Sequence, residues 1–111
     1  MSNYYPDKFV IVKVTSPDYG TLYRVLASWY GGYTGSNSWK LSSGITKITK
    51  TDTGYEFLNH SGSVYFGSKE IYGMSSYTMS IYSGFVDQLK EAGEGHSIEV
   101  IDEEAIDTLE V

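Results

Sequence analysis

Strand-like patterns of apolar and polar residues govern the first two thirds of the chain, and a helical period governs the stretch after it. Phe9-Val10-Ile11-Val12-Lys13-Val14 is apolar on both period-2 faces, which predicts a central strand covered on two sides. Ser16-Pro17-Asp18-Tyr19-Gly20 supplies turn chemistry, so the next strand, Thr21 to about Tyr30, returns as a hairpin. In that strand Tyr23, Val25, Ala27 and Trp29 share one face, the expected core face, while Leu22, Arg24, Leu26 and Ser28 share the other. After the glycine-rich loop Gly31 to Ser38 come short strands at Ser38–Ser42 and Ile45–Lys50. Asp52-Thr53-Gly54 turns the chain into Tyr55–Asn59, and Ser61-Gly62-Ser63 turns it again into Val64–Phe66. The pattern predicts a meander of about six or seven short antiparallel strands.

The period then changes. Thr78, Ile81, Tyr82, Phe85, Val86 and Leu89 fall on one face of a helix spanning about 75–92, capped by Ser75 or Ser76 and ended by Gly93. Ser97-Ile98-Glu99-Val100-Ile101 alternates like a last strand, and residues 102–111 form either a short helix led by a capping acid or a solvated acidic tail. The expected class is α+β: one antiparallel sheet with one amphipathic helix on one face. Residues 1–101 make a single domain, followed by the acidic segment 102–111.

Charge changes this picture more than composition does. The net charge of −6 is unevenly spread: residues 1–93 hold all eight Lys and Arg and seven acids, whereas residues 94–111 hold seven acids and no base. The chain is thus a nearly neutral body with an acidic end. It lacks the basic stripe that phosphate backbones require, so no direct nucleic-acid binding is expected. Eleven tyrosines and two tryptophans against four phenylalanines give an aromatic surface with polar handles, as interfaces favour. With no cysteine there is no disulfide frame, thiolate metal site or cysteine nucleophile. No apolar run approaches the ~18 residues that cross a bilayer, and the N-terminus lacks a signal-peptide pattern, so a cytoplasmic location without membrane contact is expected.

Catalytic chemistry finds little footing. His60 beside Ser61 and Ser63 suggests a nucleophile and base, but neighbours on a strand point to opposite faces and no acid is placed to orient the ring. His96 with Glu94 and Glu99 follows no metal-ligand spacing, and the Gly31–Gly35 loop matches no phosphate-binding motif. A non-enzymatic protein with no metal and no cofactor is therefore expected. The candidate binding residues are Trp29, Tyr30, Tyr33, Trp39, His60, Ser61, Ser63, Tyr65 and Tyr72, with an acidic patch of Glu99, Asp102, Glu103, Glu104 and Asp107. Two occupants suit them. One is a protein partner met by tyrosine anchors and the acidic end; the other is a nucleotide-like small molecule stacked on Tyr33, Trp29 and Trp39, with Lys40, Lys47 or Lys69 for phosphate. A homodimer through an exposed strand edge is a further expectation.

Ser38-Trp39-Lys40-Leu41-Ser42-Ser43-Gly44-Ile45, followed by Ser61-Gly62-Ser63-Val64-Tyr65 and Tyr72-Gly73, resembles small accessory proteins carried by tailed bacteriophages. The resemblance covers residues 38–73. It implies a host-directed or otherwise dispensable viral protein, placed in the host cytoplasm, and it brings no catalytic residue with it; the host-directed alternative joins the reading of a binding or inhibitory module aimed at a host protein.

Overall fold

The computed structural model describes residues 2–30 and 37–111. Its strands are β1 (Asn3–Tyr4), β2 (Lys8–Ser16), β3 (Gly20–Trp29), β4 (Ser38–Leu41), β5 (Ile45–Lys50), β6 (Gly54–Asn59), β7 (Val64–Ser68) and β8 (Ser97–Val100), with one helix, α1 (Ser76–Ala92), between β7 and β8. The class is α+β, and the strands divide between two sheets ordered β1-β7-β6-β5 and β4-β3-β2-β8. The meander is thus two three-stranded meanders, β2-β3-β4 and β5-β6-β7. β8 returns antiparallel to β2, and the two-residue β1 adds in parallel to β7.

The chain crosses between sheets at Ser42–Gly44. Ser42 continues the β3 ladder through its backbone N–H to the Val25 carbonyl, and its hydroxyl accepts the Val25 N–H at 2.8 Å. The side chain thereby occupies the edge that a continuing β4 would need, and Ser43-Gly44 swings the chain into β5 of the other sheet. β5 carries a register shift between Ile45 and Lys47, a bulge at the corner of the kind that lets a strand bend.

Three layers result, and β2 lies in the middle one. Phe9 and Ile11 join Val25 and Ala27 against Ile45, Tyr55, Phe57 and Tyr65 of the other sheet. Val10 and Val12 join Leu26 on the opposite face, under Ile81, Tyr82 and Phe85 of α1. The run that is apolar on both faces is therefore buried on both, and β3 follows it, with Leu26 as well as Val25 and Ala27 fully buried. Gly67 permits the close sheet-to-sheet approach, since a Cβ there would meet the Phe9 ring. α1 begins at Ser75, whose hydroxyl accepts the Thr78 N–H, and ends at Gly93, where φ is +103°.

The acidic end folds. Glu103–Thr108 is a short 3₁₀ helix that seats Ile106, 2% exposed, in the core between the sheets. Asp102 occupies its N-cap position, but the carboxylate makes no capping hydrogen bond there. No helix among the described residues is long and apolar enough to cross a membrane.

Candidate functional site

The residues singled out from sequence do not gather in one place. Tyr72 is a strut: its hydroxyl accepts the Ile11 N–H at 3.1 Å and donates to the Ile101 carbonyl at 2.6 Å, while its ring meets Phe9 edge-on. Desolvation, reinforced by Asp102 and Glu103 and partly opposed by the Ile11 hydrogen bond, pushes its pKa up to about 12. Tyr65 is 1% exposed and stacks on Tyr4 with ring centroids 4.8 Å apart, and burial raises its pKa to about 12 as well.

Around Tyr4 lies an aromatic cluster at one end of β3. Trp29 meets Tyr4 at 6.2 Å and donates its indole N–H to the Tyr5 carbonyl. Lys40 lies over the Tyr4 ring, and Tyr5 stacks on Phe66. The backbone N–H of Tyr30 donates to Asp7 at 2.8 Å. Tyr4, Trp29, Tyr65 and Lys40 thus contact one another, while the Tyr5 and Tyr30 side chains stay exposed. Trp39 pairs across the strands with Ser28, not Trp29, and so points to the helix side, edge-on to Phe85 at 5.4 Å. The two indoles lie on opposite faces of one sheet and do not converge on one ligand; Tyr33 lies outside the described residues. Lys69 sits over Tyr55 near the end of β7, while Lys47 is exposed on β5, so the three lysines do not gather into a phosphate site.

The acidic residues divide between structural and free. Asp107 accepts a 3.0 Å hydrogen bond from the Tyr55 hydroxyl and lies 3.3 Å from Lys50, clamping the 3₁₀ helix to β5 and β6. The Tyr55 bond, helped by Lys50, pulls the Asp107 pKa below its ordinary value; burial and Asp107 push that of Tyr55 to about 12. Glu99 pairs with Lys13 at 3.9 Å on the surface, a contact worth little. Asp102 and Glu104 are exposed, Glu103 half-buried.

The turn residues lie between β6 and β7, close in the chain to Val64 and Tyr65, which pair with Asn3 and Tyr4. Ser61 donates its backbone N–H to the Ser43 hydroxyl, His60 donates its own to the Gly44 carbonyl, and the Ser61 and Ser63 hydroxyls lie 3.3 Å apart. These bonds pin the turn behind the Ser42–Gly44 crossover. His60 is exposed, and no hydrogen bond or ion pair joins it to an acid among the described residues. Among those residues no three His, Asp or Glu side chains are grouped so as to hold a metal ion.

His60 does reach a concave surface. A cleft of about 460 Å³ is lined by Tyr19, Leu22, Ser43, Gly44, Ile45, Thr46 and His60. A second, about 330 Å³, shares Tyr19, Leu22, Ser43 and Gly44 with it and adds Val14 and Arg24. A third, about 150 Å³, shares Val14 and Arg24 with the second and runs to Phe85 and Leu89 of α1. Together they form one furrow from the corner of β5 across the β2–β3 hairpin to the helix. Its origin is a mismatch of lengths: α1 covers Leu26 and reaches the flank of Arg24, whereas the hairpin continues past it to Leu22 and Tyr19. Those two side chains are left 43% and 79% exposed.

Leu22 and Arg24 fall on the strand face that the pattern assigns away from the core. One signal for them was present in the composition, since Arg24 is the only arginine in the chain. No family model, curated protein or solved structure matches this chain. The furrow's own chemistry therefore carries the functional argument.

Proposed function

We propose that the protein is a small non-enzymatic binding module that grips a protein partner through the furrow beside Leu22. The observation carrying this reading is the exposure of a leucine and a tyrosine on the walls of a largely apolar concavity, next to a guanidinium that pairs with no acid among the described residues. Apolar and aromatic anchors with an arginine are the side chains that dominate interface energetics. A host protein is the partner favoured by the likeness to phage accessory proteins, and the exposed Asp102 and Glu104 supply negative charge for steering it. A nucleotide-like ligand held between aromatic rings has less support, because Trp29 and Trp39 face apart.

The test is affinity purification of the tagged full chain from its native cells, comparing wild type with Leu22→Glu and with Met79→Glu. Met79 is 53% exposed on α1 and lines none of the three clefts. The expected result is a protein retained by wild type and Met79→Glu and lost, by about tenfold or more, with folded Leu22→Glu. Equal recovery by all three would overturn the reading.

A further inference from the structure

Arg24 stands where the three clefts join. Its Nε–H donates to the Ser42 carbonyl at 2.6 Å, which fixes the guanidinium plane, and no partner holds the two Nη amino groups among the described residues. The two ion pairs of the described residues, Lys13 with Glu99 and Lys50 with Asp107, do not include it. Not one of the residues lining the three clefts is an aspartate or glutamate; a further cleft of about 410 Å³, which meets them at Leu22 and Ile45, carries Glu110 but is not lined by Arg24. Desolvation is the one influence on its pKa, which it lowers, as expected of a half-buried cation without a counter-charge. A planar fork fixed at one nitrogen, free at the others and flanked by apolar walls is prepared for a bidentate anion.

We propose that this furrow binds an extended peptide segment carrying a carboxylate that pairs with Arg24, with an apolar side chain on either side of it. The proposal rests on the furrow being the docking face. Three depressions in a row suit an extended chain better than one compact molecule. An extended chain presents every second side chain to one face, about 6–7 Å apart. The acid therefore belongs two residues from each apolar neighbour. The larger cleft beside Tyr19 and His60 has room for an aromatic ring and the smaller one beside Phe85 and Leu89 for an aliphatic side chain. A single guanidinium matches a monoanion. A phosphate, with nearly two charges, would leave one uncompensated on a protein of net charge −6.

The probe is an array of acetylated, amidated pentapeptides with Phe and Val at the ends in either order and Asp, Glu, Asn or Gln at the centre. A further series ends at the centre in a free α-carboxylate, which separates a side-chain acid from a chain end. Labelled full-length protein is expected to prefer acid over amide centres by about tenfold or more, and Arg24→Gln to bring that ratio near one. Since Arg24 also supports the crossover, a second measurement uses the wild-type chain. The sole arginine gives one Nε–Hε resonance, which the best acidic peptide should shift and its amide counterpart should not. The proposal is overturned if no peptide binds below about 1 mM, if Arg24→Gln keeps the acid preference, or if the resonance stays still. Should these fail while Leu22→Glu still loses the partner, the docking face stands and only the ligand class falls.

Discussion

Tyr72 shows how one hydroxyl joins distant parts of the chain, taking a proton donor from β2 and giving its own proton to Ile101 just beyond β8. Tyr55, bonded to Asp107, ties the 3₁₀ helix to β6 in a related way. Burial holds Tyr55, Tyr65 and Tyr72 protonated in the folded state to about pH 12, against an ordinary value of 10.0. The folded state thus keeps protons that the unfolded chain releases. Their contribution to stability is complete below pH 10 and is lost as pH rises from there through about 12. Urea midpoints should fall steeply across that window, and less steeply for Tyr72→Phe, which removes one of the three groups. A midpoint independent of pH between 10 and 12 would contradict this assignment.

At the level of elements, a strand's pattern states which residues share a face but not which sheet the strand joins. Phe9–Val12 was legible as a doubly covered strand because both faces are apolar, and α1 because six residues keep helical spacing. The Thr51–Gly54 turn was legible from its glycine and is closed by the Gly54 N–H to the Thr51 hydroxyl. The division into two sheets was not legible. It depends on the Ser42 hydroxyl occupying the Val25 N–H, a contact between residues far apart in the chain. The acidic end was legible only as an open choice between a short helix and a solvated tail, because the five acids of residues 102–111 surround the one isoleucine that packs. Ile106→Ala should therefore cost about 2–5 kcal/mol by urea denaturation, as for a deleted core side chain. A loss under about 0.5 kcal/mol would mean that the segment is not part of the core. The same packing makes deletion of residues 102–111 a poor probe of charge. Glu104→Gln, at an exposed position, removes charge without emptying the core.

Across the whole molecule, the layers leave one end of the β2–β3 hairpin beyond the reach of α1, and the furrow is the consequence. Of the residues singled out from sequence, His60 lines it and Ser61 bonds to its wall through Ser43, while Trp29, Tyr30, Tyr65 and Tyr72 lie elsewhere. For Leu22 and Arg24 the sequence offered only the singularity of the arginine, because their exposure is set by where the helix stops. The central claim, that partners dock on this furrow, is tested most directly by placing a photo-crosslinking amino acid in turn at Tyr19 and at Met79 and irradiating native cells. The account predicts one discrete adduct from position 19, abolished by Leu22→Glu in the same chain, and no such adduct from position 79. An adduct of equal yield from both positions, or one from position 19 that survives Leu22→Glu, would contradict it.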